Sequence, residues 1–384
     1  MDASLGNHFE GYTYPGNKFV FGQDNLVLGA KDKGLINPNF TWYESKLTNI
    51  GLDLSMWQGK LGVEFDYFYR KRTGLKGKLD ATLPTSFGAE LPEMNLNSDS
   101  HRGFELVLSH KNTVRDVRYE VKGNVSYTRK KNLYREQASY KNADQDWRNN
   151  GAYRWENVSW VYKALGQFQS YEEIMSAPIH DGQGNITLMP GDIRIEDINN
   201  DGIIDDNDKQ PINRNGTPEI FFGMNLSAQW KGLDFSMMWQ GAANYTYAIQ
   251  YKSTFLQDGL GNGYQMFTDR WHRKDPSDLN SEWIPGRFPT TRIDSAPKTN
   301  TAESTFWNPN VWYLRLKNVE VGYTLPKKWT MKAGVQSLRL YVGAYNILTF
   351  APSEVDGMDP EGQALYGMYY PQMKTVNFGF NLEF

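Results

Sequence analysis

The sequence predicts an all-β protein: an antiparallel transmembrane β-barrel, read as the C-terminal portion of a larger one, with long extracellular loops. Three observations carry this. Apolar residues recur with a period of two from Asn49 to the last residue, in runs near the ~9 to 11 residues of a tilted span. The connections between runs alternate strictly between short and long, as the periplasmic turns and outer loops of a barrel do. No stretch approaches the ~20 apolar residues of a spanning helix, although the 384 residues include 23 Tyr, 20 Phe and 12 Trp. Such an aromatic excess suits pleated strands and interfacial belts.

Residues 1–46 read as an extracellular loop segment and 47–384 as barrel. In the first strand Ile50, Leu52, Leu54 and Met56 share one face, opposite Gly51, Asp53 and Ser55. Past Gln58-Gly59-Lys60 its hairpin partner groups Leu61, Val63, Phe65, Tyr67 and Tyr69. A long loop at about 71–102 precedes Phe104, Leu106 and Leu108. The short stretch from Asn112 to Asp116 leads into Tyr119, Val121, Val125 and Tyr127. The longest loop, about 130–218, is followed by Phe222, Met224, Leu226, Ala228 and Trp230. Across Lys231-Gly232 come Leu233, Phe235, Met237 and Trp239. After a loop at about 248–310, the run from Val311 to Leu325 breaks its alternation at Lys317-Asn318, which reads as a β-bulge. A connection from Pro326 to Ser337 opens the run from Leu338 to Thr349. The loop at about 351–374 precedes Val376, Phe378, Phe380, Leu382 and Phe384. Trp57, Tyr69, Trp230, Trp239, Trp312, Tyr323, Trp329 and Phe350 fall near strand ends, where amphipathic rings settle at a membrane interface.

That makes nine strands, and a bacterial barrel closes with an even number. An open edge in hydrocarbon costs several kcal/mol per unsatisfied backbone group. The chain is therefore expected to be the C-terminal part of a larger barrel, whose N-terminal part would carry the export signal that Met1 to Phe9 lack. A soluble β-sandwich shows the same alternation. Burial separates the two, since Leu54, Phe65, Leu226, Phe235 and Phe380 face outward in a barrel and lie between sheets in a sandwich.

With 41 Lys and Arg against 44 Asp and Glu the net charge is −3, and no bulk field favours nucleic acid. The absence of Cys removes disulfides, zinc–thiolate sites and cysteine nucleophiles together. Neither Gly-x-Ser-x-Gly nor His-Glu-x-x-His occurs, and His8, His101, His110, His180 and His272 are scattered. No catalytic residues are expected, and the chain does not read as an enzyme.

The sharpest local motif is Asp197-x-Asn199-x-Asp201-Gly202-Ile203-x-Asp205-x-x-Asp208. It has the oxygen-ligand spacing of a calcium loop: side chains at positions 1, 3 and 5, Gly at 6, the Ile203 carbonyl at 7, then positions 9 and 12. Asp208 in place of Glu shortens the reach at position 12. Two readings fit, a structural calcium site that braces the longest loop and an Asx-rich turn without metal. Aromatics in the long loops also admit two roles. Trp147, Tyr153, Trp155, Trp160, Tyr162, Trp271, Trp283, Trp307, Tyr366, Tyr369 and Tyr370 sit among polar residues, and such rings stack on sugars or pack loops together. No residue set names a ligand, and Asp53, Glu64, Asp66, Glu105 and Glu120 read as wall and plug contacts.

Taken in order, several segments resemble one family. They are Pro190-Gly191-Asp192-Ile193-Arg194 leading into Asp197-Ile198-Asn199-Asn200-Asp201-Gly202; the stretch Pro218 to Trp239; Asp269-Arg270-Trp271; Tyr313-Leu314-Arg315-Leu316-Lys317-Asn318-Val319 with Gly322-Tyr323-Thr324-Leu325-Pro326; Tyr345-Asn346-Ile347-Leu348; Asp359-Pro360-Glu361; and Tyr370-Pro371 with the terminal Phe384. From about Asn37 onward the chain resembles the SusC/RagA-like TonB-linked outer-membrane proteins. The resemblance implies a 22-stranded barrel with an N-terminal plug, TonB as energy source, a SusD-like surface lipoprotein as partner, and uptake of glycans or peptides across a Gram-negative outer membrane. The plug, the TonB box and the first half of the barrel are absent from this sequence. A passive porin and a secreted calcium-dependent carbohydrate-binding β-sandwich are the alternatives.

Overall fold

A computed structural model describes residues 11–384 apart from 15, 17, 22–24, 80–85, 87–90, 138, 157, 250–264, 292–297 and 363–371. It contains the nine strands as β1 (Glu44–Met56), β2 (Leu61–Lys78), β3 (Glu93–Val114), β4 (Val117–Tyr134), β5 (Ile220–Trp230), β6 (Leu233–Thr246), β7 (Asn310–Thr324), β8 (Ser337–Phe350) and β9 (Thr375–Glu383). They join in one sheet in which each strand lies beside its neighbours in sequence. Every other ladder among the described residues has two short strands. The chain divides into two compact units, one of residues 1–51, 66–104 and 128–156, the other of 52–65, 105–127 and 157–384.

In the second unit the register explains the alternation. Tyr119, Ala228, Phe235, Val321, Val342 and Phe378 lie opposite one another in sequence across β4 to β9, and so do Val117, Trp230, Leu233, Tyr323, Leu340 and Phe380. Val121, Leu226, Met237, Val319, Ala344 and Val376 form a third apolar row. The intervening row is Glu120, Ser227, Ser236, Glu320, Gly343 and Asn377, on the other face. A one-residue slip at any strand would put polar side chains into the apolar band. This band is not covered: Phe378 is 80% and Phe380 67% exposed, Leu54 is exposed, and Phe65, Leu226 and Phe235 are half-exposed. The sandwich expectation, with these residues between two sheets, is not met.

Two register shifts change which side chains the faces carry. At Lys317 the pairing of β7 slips against both β6 and β8, as the broken alternation predicts. Without the extra residue Val311, Tyr313 and Arg315 would share the face of Val319; with it they join the face of Glu320. On β6 a second shift at Asn244, whose φ is +58°, turns Tyr245 to the same side as Val311. Val311, Tyr313 and Tyr245 thereby enter the largest buried cluster among the described residues, with Tyr162, Ile193, Ile195, Phe267, Phe288 and Trp307. The water-excluded core of the second unit thus lies among the long loops and the strand ends beside them.

Strands β2, β3 and β4 run further than the sequence suggests, so that the connection expected at 71–102 spans 79–92 and the one at 130–218 begins at 135. The extra residues are mostly polar, with only Leu75, Met94, Leu96, Leu133 and Tyr134 interrupting them, yet their backbones pair. Side-chain amides add to the ladder: Asn95 Nδ2 donates to the Gly74 carbonyl at 2.7 Å and Asn97 Nδ2 to that of Lys76 at 2.8 Å.

Candidate functional site

On the polar face of the sheet charge is paired across strands. Arg339 on β8 donates from Nε to Asp234 of β6 at 2.9 Å and from a terminal nitrogen to Glu320 of β7 at 2.6 Å. Its guanidinium lies over Gly322, where a Cβ would collide with it, and Gly379 leaves room in the same way for the Tyr341 ring. Arg315, 4% exposed, donates to Thr349 Oγ1 at 3.0 Å, Glu361 at 2.7 Å and Asp359 at 2.5 Å. Lys317 reaches Glu361 as well, at 2.6 Å. A buried guanidinium is tolerated only when paired in this way. The acids come from the last long loop, which Tyr247 also holds through the Gly362 carbonyl at 3.1 Å and Tyr245 through that of Pro360.

In the first unit the upper strands carry their own network. Arg72 forms a two-pronged pair with Asp99 at 2.8 and 2.5 Å, the geometry that matches guanidinium to carboxylate. Lys130 lies 3.5 Å from Asp99 and bonds Glu156. Trp155 is flanked by the guanidiniums of Arg102 at 4.6 Å and Arg129 at 4.1 Å.

The loops of the second unit are fastened by Asp192, which is fully buried. It accepts from Thr290 Oγ1 at 3.0 Å, Asn300 Nδ2 at 2.7 Å and the Met189 N–H at 2.9 Å, while Asn300 Oδ1 accepts from the Ile193 N–H at 2.8 Å. Gly191, at φ +94°, has the Trp271 side chain where a Cβ would stand. Nearby, buried His180 donates from Nδ1 to the Pro178 carbonyl at 2.7 Å and accepts at Nε2 from the Ile195 N–H at 3.0 Å, and burial pushes its pKa down. At Asp181 partial burial opposes ionisation, but N–H groups of Thr187, Gln183 and Asn185 and the Thr187 hydroxyl outweigh it and hold the carboxyl at about 2. Burial and the neighbouring Asp206 carboxylate raise the Tyr162 phenol to about 12.

In the acidic loop each side chain caps backbone. Asp197 accepts from the Gly202 N–H at 2.8 Å, Asn199 from Asp201 at 3.0 Å, Asp201 from Ile203 at 2.9 Å and Asp205 from Asn207 at 2.7 Å. Asp208, fully buried, accepts from the N–H groups of Ile198 at 2.9 Å and Asp205 at 2.8 Å. Among the described residues no three His, Asp or Glu side chains converge as a metal site. One oxygen, Asp197 Oδ1, is buried without a hydrogen-bond partner.

Of the loop aromatics, Trp271, Trp307 and Tyr162 are buried as packing, whereas Trp147 and Tyr153 are exposed. Tyr366, Tyr369 and Tyr370 lie outside the described residues, as does His8. Asp53, Glu64, Glu105 and Glu120 are exposed and Asp66 half-exposed, without gathering into one site. The residues that sequence reasoning passed over are Asp192, Asn300, Arg315 and Glu361. Asp192 meets Thr290 and Asn300 from 98 and 108 positions away, and Arg315 meets Asp359 and Glu361 from 44 and 46; the signal that marks Asp192, Arg315 and Glu361, but not Asn300, is their place inside ordered segments of fixed spacing.

No family model matches the chain. It is 27% identical over 94% of its length to TonB-dependent receptor P26 of Formosa agariphila and 23% identical over 96% to TonB-dependent receptor SusC of Bacteroides thetaiotaomicron. Over nearly its whole length the chain is similar to SusC-like TonB-dependent receptors. It spans 36% and 34% of the length of those two relatives. Its fold matches a chain in the structure of the RagAB peptide importer in the "open-open" state, with a TM-score of 0.67 at 20% identity, covering 98% of this chain and 38% of that one. The "closed-closed" state gives 0.66 at 21%. Segments that carry the resemblance meet in space: Gly191 lies against Trp271, and Arg315 binds Asp359 and Glu361.

Proposed function

We propose that the chain is a C-terminal wall segment of an outer-membrane importer, energised through TonB, which takes up glycans or peptides together with a SusD-like surface lipoprotein. The observation that carries this is the uncovered apolar band, three rows deep across six strands, backed by a face of paired charge. Lipid suits the first face and a water-filled lumen the second. A passive porin would use the same wall. The relatives, named as TonB-dependent receptors, favour the energised reading. The test is uptake by cells carrying the full-length protein, with fluorescent oligosaccharides and oligopeptides supplied separately. Uptake of one class that stops when TonB is deleted is the expected result, and TonB-independent leakage of both would establish the porin.

A calcium ion in the acidic loop belongs to the same proposal, in a structural role. Asp197, Asn199, Asp201, the Ile203 carbonyl and Asp205 would hold it, with Asp208 at the twelfth position. The buried and unpartnered Asp197 Oδ1 supports the fit, because carboxylate oxygens left without donors are what a hard cation takes up. Calcium titration by calorimetry is expected to give heat with the native protein and none with Asp201→Ala. Equal heats would leave the loop as a metal-free Asx turn.

A further inference from the structure

A recess of about 430 Å³ opens among the loops of the second unit, within the size range of small-molecule sites. Ile249, Phe288, Phe306 and Pro309 give it apolar walls, and two cations, Arg214 and Arg287, line it. Arg287 is accounted for: its guanidinium stacks on Phe288 at 4.9 Å and bonds the Glu354 carbonyl. Arg214 is not. It is half-buried, its Nε is shut off from solvent without a hydrogen-bond partner, and burial with no compensating acid pushes its pKa down. No carboxylate among the described residues pairs with it; the one acid on the lining, Glu354, is exposed and bonded to Ser353 at 3.5 Å. Elsewhere in this unit Arg315 and Arg339 of the sheet are matched with acids. A half-buried guanidinium left unmatched beside an apolar recess carries a desolvation cost that an incoming anion would relieve.

We propose that this recess binds a small organic carboxylate with an apolar arm, its carboxylate on Arg214 and its arm against Phe288, Phe306 and Ile249. Recognition by a guanidinium favours a planar two-oxygen anion, and a recess of about 430 Å³ is large enough for one ring or a branched chain. Two sources share this chemistry, the terminal carboxylate of a short peptide and the acid group of a uronic sugar. The site is independent of the importer reading, since it rests only on the loops of this unit.

The test uses the full-length protein in detergent micelles, with N-acetylphenylalanine, its primary amide and phenyl glucuronide as calorimetric probes. At least one of the two acids should bind, the amide should bind tenfold more weakly or not at all, and Arg214→Gln should lower the affinity of the acid at least tenfold. Preference for N-acetylphenylalanine assigns the peptide source, and preference for phenyl glucuronide the sugar acid. Equal binding of acid and amide, an unchanged affinity in Arg214→Gln, or no binding of either acid to the native protein would overturn the proposal. A ligand-free measurement guards against a folding artefact. Because Arg214 has no partner to lose, Arg214→Met should melt at the native temperature or above it. A lower Tm would show that the protein itself satisfies the guanidinium, and would also overturn the proposal.

Discussion

His180 shows how a single side chain can make a loop sensitive to pH. Its Nε2 accepts from the Ile195 N–H, so a proton there would set donor against donor in a buried place. The pKa is lowered by burial, and Asp181 and Arg194 nearby act in opposite directions on it. The folded state therefore binds the proton less readily than the unfolded chain, whose histidine titrates near ~6.5. The stabilisation is complete above that value and is lost as pH falls below it toward the lowered folded pKa. Asp181 follows the carboxylate rule: its contribution is complete above ~3.9 and fades as pH approaches its folded value of about 2. Melting between pH 8 and pH 5 should show Tm declining for the native protein, with a flatter profile for His180→Gln. Parallel profiles would remove His180 as the cause.

At the scale of the strand, the bulge at Lys317 decides the fate of everything on the loop side of it. Deleting Lys317 would restore simple alternation and send Arg315, Tyr313 and Val311 to the face of Val319, or else shift the whole lower half of β7. Either result breaks the Arg315 pairs with Asp359 and Glu361. The variant should fail to give the compact, heat-modifiable species that folded outer-membrane barrels show on a gel. A normal species would mean that β7 tolerates both registers. This bulge was legible in the sequence because the alternation of Leu314 and Leu316 falls out of step with that of Val319, Val321 and Tyr323. The mostly polar extensions of β2, β3 and β4 were not, since their few apolar residues are too sparse to mark a strand and amides such as Asn95 and Asn97 add to the backbone ladder. The second bulge at Asn244 was missed for a related reason: Ala242, Ala243 and Asn244 carry too little apolar contrast to show a change of face. The clamp at Asp192 needs Thr290 and Asn300, residues 98 and 108 positions away, and no local pattern encodes such a meeting.

For the whole molecule the apolar band makes a directional prediction. Val321 lies at mid-row between Phe235 and Val342, and Ser236 faces Glu320 on the other side. Val321→Arg should cost about 2–4 kcal/mol as a lipid-facing cation near the midplane, whereas Ser236→Arg, opposite the Glu320 carboxylate, should be nearly neutral. Folding titrations into lipid vesicles measure both. Equal costs would show that the two faces do not differ in their surroundings.

The placement of the buried cluster among the loops has a thermal consequence. In the proposed outer-membrane setting lipid tails are as apolar as leucine, so the wall is held by packing and hydrogen bonds and gains little from expelling water. The cluster around Trp307, Phe288 and Tyr245 does gain from expelling water, and the heat-capacity change that accompanies unfolding should come chiefly from it. Hydrophobic stabilisation weakens on cooling. Cold should therefore loosen the loops while leaving the wall intact, and a bacterium living near freezing would have to compensate in the loops first.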